Sequence, residues 1–136
     1  KKVASGMKPG THGSTFGGNP LAMSAGNAEM DVIFRKGSFN NAKVNGKYFY
    51  DGLIKLKNKY PKIIKDVRGS GLLLGLVLHK DQTNFIQKLL DNKLLAIRAA
   101  ENVVRLLPTL NVTKSEINLC LKILENVSKE LKWRIL

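Results

Sequence analysis

Two groups of residues in this 136-residue chain could do chemistry. The first is Gly13-Ser14-Thr15. It lies in a stretch from Lys8 to Pro20 that also holds Gly10, Gly17, Gly18 and two prolines. Glycine lets a backbone approach a ligand closely and present its N–H groups, and the Ser14 and Thr15 hydroxyls add donors. That donor set suits a dianion such as a phosphate. Asn19-Pro20 reads as an N-cap followed by proline at the first helical position, so the positive end of a helix could also face the loop. A glycine-rich turn that merely feeds a helix has the same appearance.

The second group centres on Arg105, in the otherwise apolar run Val103-Val104-Arg105-Leu106-Leu107. An arginine in such a strand must find an acid or lie at an open site. Its planar fork can hold a carboxylate through two parallel hydrogen bonds. A structural salt bridge is the competing reading. Other polar residues read as structural. His12 should be a loop hydrogen bonder, and His79 should end a strand at the surface. Arg68, before Gly69, could tie two domains together through a carboxylate. Cys120, in Leu119-Cys120-Leu121, has no His or further Cys at a useful spacing and reads as a small core residue.

The elements that must position these residues follow from periodicity and breakers. Leu21, Ala25, Ala28 and Val32 predict a helix from Pro20 to about Phe34, rich in small residues and so suited to packing tightly against something larger. Gly37-Ser38 breaks it, with Ser38 as the cap of another helix from Phe39 to Lys59 that Tyr60-Pro61 ends. Ala42, Phe49, Leu53 and Leu56 mark its apolar side. The glycine-bounded run Leu72 to Leu78 predicts a buried strand, with Gly75 at a place where a neighbour presses on the backbone. Asp81 or Thr83 should cap a short helix through Leu90. Leu94 to Ile97 and Val103 to Leu106 read as two more strands, joined hairpin-like by Arg98 to Asn102. Thr113-Lys114-Ser115-Glu116 is a capping box. A helical stripe of Ile117, Leu121, Leu124, Val127 and Leu131 follows. Together these predict an α+β domain: a small, mainly antiparallel sheet with helices on one face.

Composition sets the outer limits. Hydrophobic residues make up 43% of the chain, enough for a packed core without staples. The lone cysteine excludes an internal disulfide framework and fits a reducing compartment. No run approaches the ~18 apolar residues of a membrane helix. Lys1 to Gly10 lacks the apolar centre of a signal peptide. Twenty-three Lys and Arg against ten Asp and Glu give a formal charge of +13, so a basic nucleic-acid-binding module is a reading of another class. The lysines between Lys43 and Lys65 are spread out, however, and no aromatics alternate with them as base stacking requires. They read as solvated faces.

Three stretches, in order, resemble the class III, or ornithine-type, pyridoxal-phosphate (PLP) aminotransferases. They are Thr11-His12-Gly13-Ser14-Thr15-Phe16-Gly17-Gly18-Asn19-Pro20-Leu21-Ala22, Val67-Arg68-Gly69-Ser70-Gly71-Leu72-Leu73-Leu74-Gly75, and Glu101-Asn102-Val103-Val104-Arg105-Leu106-Leu107-Pro108-Thr109-Leu110. The middle stretch resembles the family's first small-domain strand. Phe16 to Leu21, with Val103-Val104-Arg105, resembles the branch that acts on acetylornithine. Ornithine, succinylornithine and succinyldiaminopimelate users share much of the region.

The resemblance implies a fold-type I architecture. Residues 1–34 would be the phosphate loop and connecting helix from the large-domain junction, and residues 35–136 the carboxy-terminal small domain. It implies that Thr15, with Ser14 beside it, contacts the phosphate of a PLP held mainly by the other subunit of a homodimer. It implies that Arg105 holds the α-carboxylate of glutamate or 2-oxoglutarate. The implied activity is transfer of an amino group between N-acetylornithine and 2-oxoglutarate, in cytoplasmic arginine biosynthesis. No lysine here matches the context of the family's Schiff-base lysine; Lys8, before Pro9, does not. The chain reads as a piece of the enzyme, expected to be inactive alone.

Overall fold

The computed structural model describes residues 3–35 and 37–132. The chain divides into two compact units, Lys1–Lys36 and Gly37–Leu136. In the first, a 3-10 turn at Ala4–Gly6 leads into a loop that ends at α1, Pro20–Arg35. The helix starts as its sequence predicts. Asn19 Oδ1 accepts hydrogen bonds from the N–H groups of Leu21 (3.0 Å) and Ala22 (3.2 Å), the first donors without helical partners. The apolar positions of α1 stay on the surface: Leu21 is 81% and Val32 65% exposed. Among the described residues this unit has no buried core.

The other unit opens with α2, Ser38–Lys59. Here the cap differs from the sequence reading. Ser38 is already the first helical residue. The cap is Gly37, at φ 67, and no side chain bonds there. A left-handed φ suits glycine, so the backbone itself makes the turn that the sequence assigns to a Ser38 cap. After α2 come β1 (Ile64–Ser70), β2 (Leu73–Leu78), α3 (Thr83–Asp91), β3 (Ile97–Ala99), β4 (Val103–Leu106) and α4 (Lys114–Lys132).

The four strands form one antiparallel sheet in the order β1-β2-β4-β3. The stretch resembling one family strand, Val67 to Gly75, is two strands joined at Gly71-Leu72, and Leu72 lies in the turn rather than in β2. Charged Lys65, Asp66 and Arg68 hide β1 from a hydrophobic pattern. The strand expected at Leu94–Ile97 also begins later, at Ile97, and takes in Arg98 and Ala99. Its register with β4 decides this, because Ala99 pairs with Val103.

Alternation explains the layers. Leu74, Leu76 and Leu78 of β2, with Val104 and Leu106 of β4, face a core shared with α2, α3 and α4. Leu53, Leu76, Leu89, Val104 and Leu124 are wholly buried. The α2 backbone also lies against the β1–β2 turn: a Cβ added to Gly46 would stand 2.4 Å from the Gly71 carbonyl oxygen. An asparagine clamp fixes the chain after β4. Asn45 Nδ2 donates to Val112 O (2.8 Å) and to Asn41 Oδ1 (2.8 Å), while Asn41 Nδ2 donates to Leu110 O (2.7 Å). The capping box forms in full. The Thr113 N–H and hydroxyl each donate to Glu116 Oε2 at 2.8 Å, and the Glu116 N–H donates to Thr113 Oγ1 at 3.3 Å.

Candidate functional site

The candidate residues fall in both units, and each is placed by its own local structure. In the loop, two consecutive turns shape Ser14 to Asn19: the Gly17 N–H donates to Ser14 O and the Asn19 N–H to Phe16 O, both at 3.3 Å. Gly17 is needed there because a Cβ would come within 2.9 Å of the Ser14 Cβ and Oγ. Upstream, Thr11 closes a turn onto Lys8, its hydroxyl donating to Lys8 O at 2.7 Å. These turns leave Ser14 and Thr15 exposed. Among the described residues, no partner engages either hydroxyl, and neither N–H bonds a backbone carbonyl. The loop thus offers hydroxyl and amide donors to solvent, a set that fits a phosphate oxygen. His12 does not bear out its reading as a loop hydrogen bonder. Its ring is exposed and has no partner among the described residues, since Thr11 and the backbone already close the turns.

The other candidate lies on the sheet face opposite the helices. Directly paired residues point to the same side of a sheet, and Arg105 pairs with Gly75 on β2 and Ile97 on β3. Its neighbours Val104 and Leu106 face the core, so Arg105 projects outward. It is exposed, and no described residue bonds or pairs with its guanidinium. The structural salt bridge, the competing reading, is thus absent among the described residues. Gly75 beside it is pressed by a side chain rather than by backbone: a Cβ there would meet Val103 Cγ1 at 2.7 Å.

The same row of the sheet continues to Arg68, which pairs with Gly75 from the β1 side. Two arginines therefore flank one glycine on one face. Two strand spacings separate their backbones, about 10 Å. The sequence suggests that Arg68 ties two domains together, but its partner lies in its own unit. Arg68 Nη1 donates to Glu101 Oε2 at 2.8 Å. Ala100, Glu101 and Asn102 connect β3 to β4; Glu101 and Asn102 are the central residues of the turn, both at φ 59, with the Val103 N–H donating to Ala100 O at 3.3 Å. That turn type favours Asn and Gly. A glutamate in it carries a strain of about 1 kcal/mol, no less than an ion pair as exposed as this one contributes. In the sequence, Glu101 stands out only as one member of a motif. Its contact with Arg68 spans 33 residues and leaves no local signal.

The remaining polar residues are structural. His79 follows β2 at the surface, its Nε2 3.1 Å from Pro61 O. Cys120 is half-buried against the core, and burial pushes its thiol up to about 12, which removes thiolate reactivity at neutral pH. The lysines of α2 are dispersed, and several meet carboxylates: Lys47 with Asp51 (2.7 Å), Lys57 with Asp66 (2.8 Å), and Lys59 with Glu125. Among the described residues no helix is long and apolar enough to cross a membrane, and no cluster of His, Cys, Asp or Glu could hold a metal ion.

Helices packed on a four-stranded antiparallel sheet match the small domain of PLP-dependent aminotransferase folds. The chain belongs to the aminotransferase class-III family, whose model matches residues 1–127. It is 45% identical over 130 residues to an acetylornithine aminotransferase of Clostridium acetobutylicum, covering 95% of this chain and 33% of that protein. The crystal structure of acetylornithine aminotransferase from Elizabethkingia anophelis matches at a TM-score of 0.79 and 35% identity, over 94% of this chain and 34% of the other. The ornithine aminotransferase of Toxoplasma gondii ME49 matches at 0.81 and 30%, over 98% and 32%. The chain thus spans about a third of the length of the curated relatives it matches. Class-III aminotransferases use pyridoxal 5′-phosphate.

Proposed function

We propose that this chain supplies the small domain and one phosphate loop of a PLP-dependent aminotransferase that moves an amino group between N-acetylornithine and 2-oxoglutarate. The observation that carries this reading is Arg105: an outward-facing guanidinium, bracketed by buried Val104 and Leu106, with no partner among the described residues. A charge-assisted, two-pronged hydrogen bond to the α-carboxylate of glutamate or 2-oxoglutarate would satisfy it. The Thr15 hydroxyl, with Ser14 beside it, donates to the cofactor phosphate held mainly by the other subunit of a homodimer. When bound, PLP supplies the electron sink that amino transfer needs. This chain's own work is to bind and orient. Arg105 fixes the substrate's carboxylate end, and the loop neutralises part of the phosphate charge. The assignment to acetylornithine rests on relatives such as that of C. acetobutylicum. The assignment to the cytoplasm and to arginine biosynthesis follows from that choice.

The test uses the full-length enzyme. Arg105→Lys keeps the charge but loses the fork, so the KM for 2-oxoglutarate should rise about tenfold or more. An unaltered KM would remove the carboxylate role. Thr15→Ala should weaken PLP binding, read as faster cofactor loss on dialysis, and unchanged retention would remove the phosphate role. Comparing kcat/KM for acetylornithine and for ornithine decides the amino donor.

A further inference from the structure

Arg105 is one of two arginines on its face of the sheet. Arg68, Gly75, Arg105 and Ile97 form a single row across four strands. Gly75 contributes no side chain, and what lies over it is the Val103 methyl Cγ1 from the neighbouring row, an apolar group that binds neither guanidinium. Their backbones are about 10 Å apart. A five-carbon dicarboxylate could therefore meet both if both were free. Only Arg105 is free among the described residues, because Arg68 is held by Glu101 at 2.8 Å. Glu101 sits in the turn after Ala99, beyond the Val77–Val103 pair, so it draws Arg68 along the strands and away from the row of Arg105.

Stability does not account for this arrangement. The pair is exposed on both sides, 54% for Arg68 and 73% for Glu101, and an exposed pair stabilises a fold very little. Glu101 nevertheless occupies a left-handed position that disfavours glutamate. Strain of this kind without a stabilising return is a feature of working surfaces.

We propose that Glu101 sets the number of carboxylates this face accepts: by holding Arg68, it leaves Arg105 as the single guanidinium free for a ligand. The inference rests on the reading of Arg105 as the carboxylate anchor. A free Arg68 would offer a dicarboxylate a further register on the same face, with its far carboxylate captured beside the near one. Glu101 closes that register and leaves the far end of the substrate to be read elsewhere. Arg68 and Glu101 are then specificity-determining residues that touch no reacting atom.

The experiment measures competitive inhibition of the full-length holoenzyme by glutarate and by butyrate, which differ by one carboxylate. In Glu101→Gln the glutarate inhibition constant should fall about tenfold, while that of butyrate stays within about twofold. Adding Arg68→Ala to that variant should return glutarate to the parent value. Glu101→Gly removes the same carboxylate and also relieves the positive φ, so it should fold at least as well as the parent and give the same shift. An unchanged ratio of the two constants in either variant overturns the proposal, whatever the change in thermal stability. So does a double variant that keeps the tightened glutarate binding. Arg105→Lys in the parent background tests the underlying reading separately: it should weaken both inhibitors, and if it weakens neither, the anchor itself is wrong.

Discussion

The two units solve opposite problems with similar residues. In Gly37–Leu136, apolar positions on three helices and on β1, β2 and β4 meet one another, and large side chains such as Phe49, Phe85 and Leu89 are almost wholly buried. In Lys1–Lys36, the same kind of helical periodicity produces α1, yet Phe16, Leu21, Val32 and Phe34 are 64–82% exposed. A sound N-cap and a helical apolar pattern are local properties, and both units have helices that carry them. Burial requires an opposing surface, and only the sheet unit contains its own. The proposed roles divide along the same line. The sheet unit holds Arg105 on a face fixed by a packed core. The loop unit presents Ser14 and Thr15 from turns closed by a few backbone bonds.

The largest expected effect separates the units most clearly. Leu53→Ala, at a wholly buried position, should destabilise the chain by about 3 kcal/mol in chemical denaturation. Leu21→Ala, at an 81% exposed position, should change it by less than about 0.5 kcal/mol. A large effect of Leu21→Ala on the isolated chain would break the contrast. A large effect only in the full-length protein would show that α1 docks there on something larger. Next in size is Asn19→Ala, which removes the bonds to the Leu21 and Ala22 amides and should cost about 1 kcal/mol locally. Faster hydrogen exchange at those two amides, with no change at the amides of β2, would keep the effect inside the first unit.

The smallest effect is a pH dependence at the start of α4. Hydrogen bonds from the Thr113 N–H and hydroxyl hold the Glu116 carboxyl below its usual 4.5. A depressed carboxyl stabilises the fold above its unfolded pKa, and that contribution is lost as pH falls through the folded value. Thermal melts between about pH 6 and pH 3 should therefore show a shallower acid loss for Glu116→Gln than for the parent. Equal slopes would assign the acid sensitivity to other carboxylates, such as Asp66, which Lys57 lowers, and Asp81, which Thr83 lowers.

Much of the fold was legible because its signals are short-range. Asn19-Pro20, the capping box at Thr113, the stripe of α4 and the strands Leu73–Leu78 and Val103–Leu106 all declare themselves within a few residues. What failed to show has a common cause. β1 is a strand because Leu73–Leu78 pairs with it, although its own charges argue against burial. β3 begins at Ile97 rather than Leu94 because Val103 pairs with Ala99. Gly37 replaces Ser38 as a cap because its backbone adopts a left-handed turn that composition does not reveal. The asparagines of α2 that clamp Leu110 and Val112 resemble ordinary surface residues until the chain after β4 arrives.

By itself, the sequence determined the local chemistry of this protein: a loop rich in donors, an arginine in an apolar strand, and helices whose caps and stripes are written in adjacent residues. Only the tertiary structure decided which face of the sheet Arg105 takes, that Gly75 separates it from Arg68, and that Glu101 holds Arg68 aside. Those contacts join residues on different strands and turns, and their energies depend on register and packing, which no single stretch of chain contains.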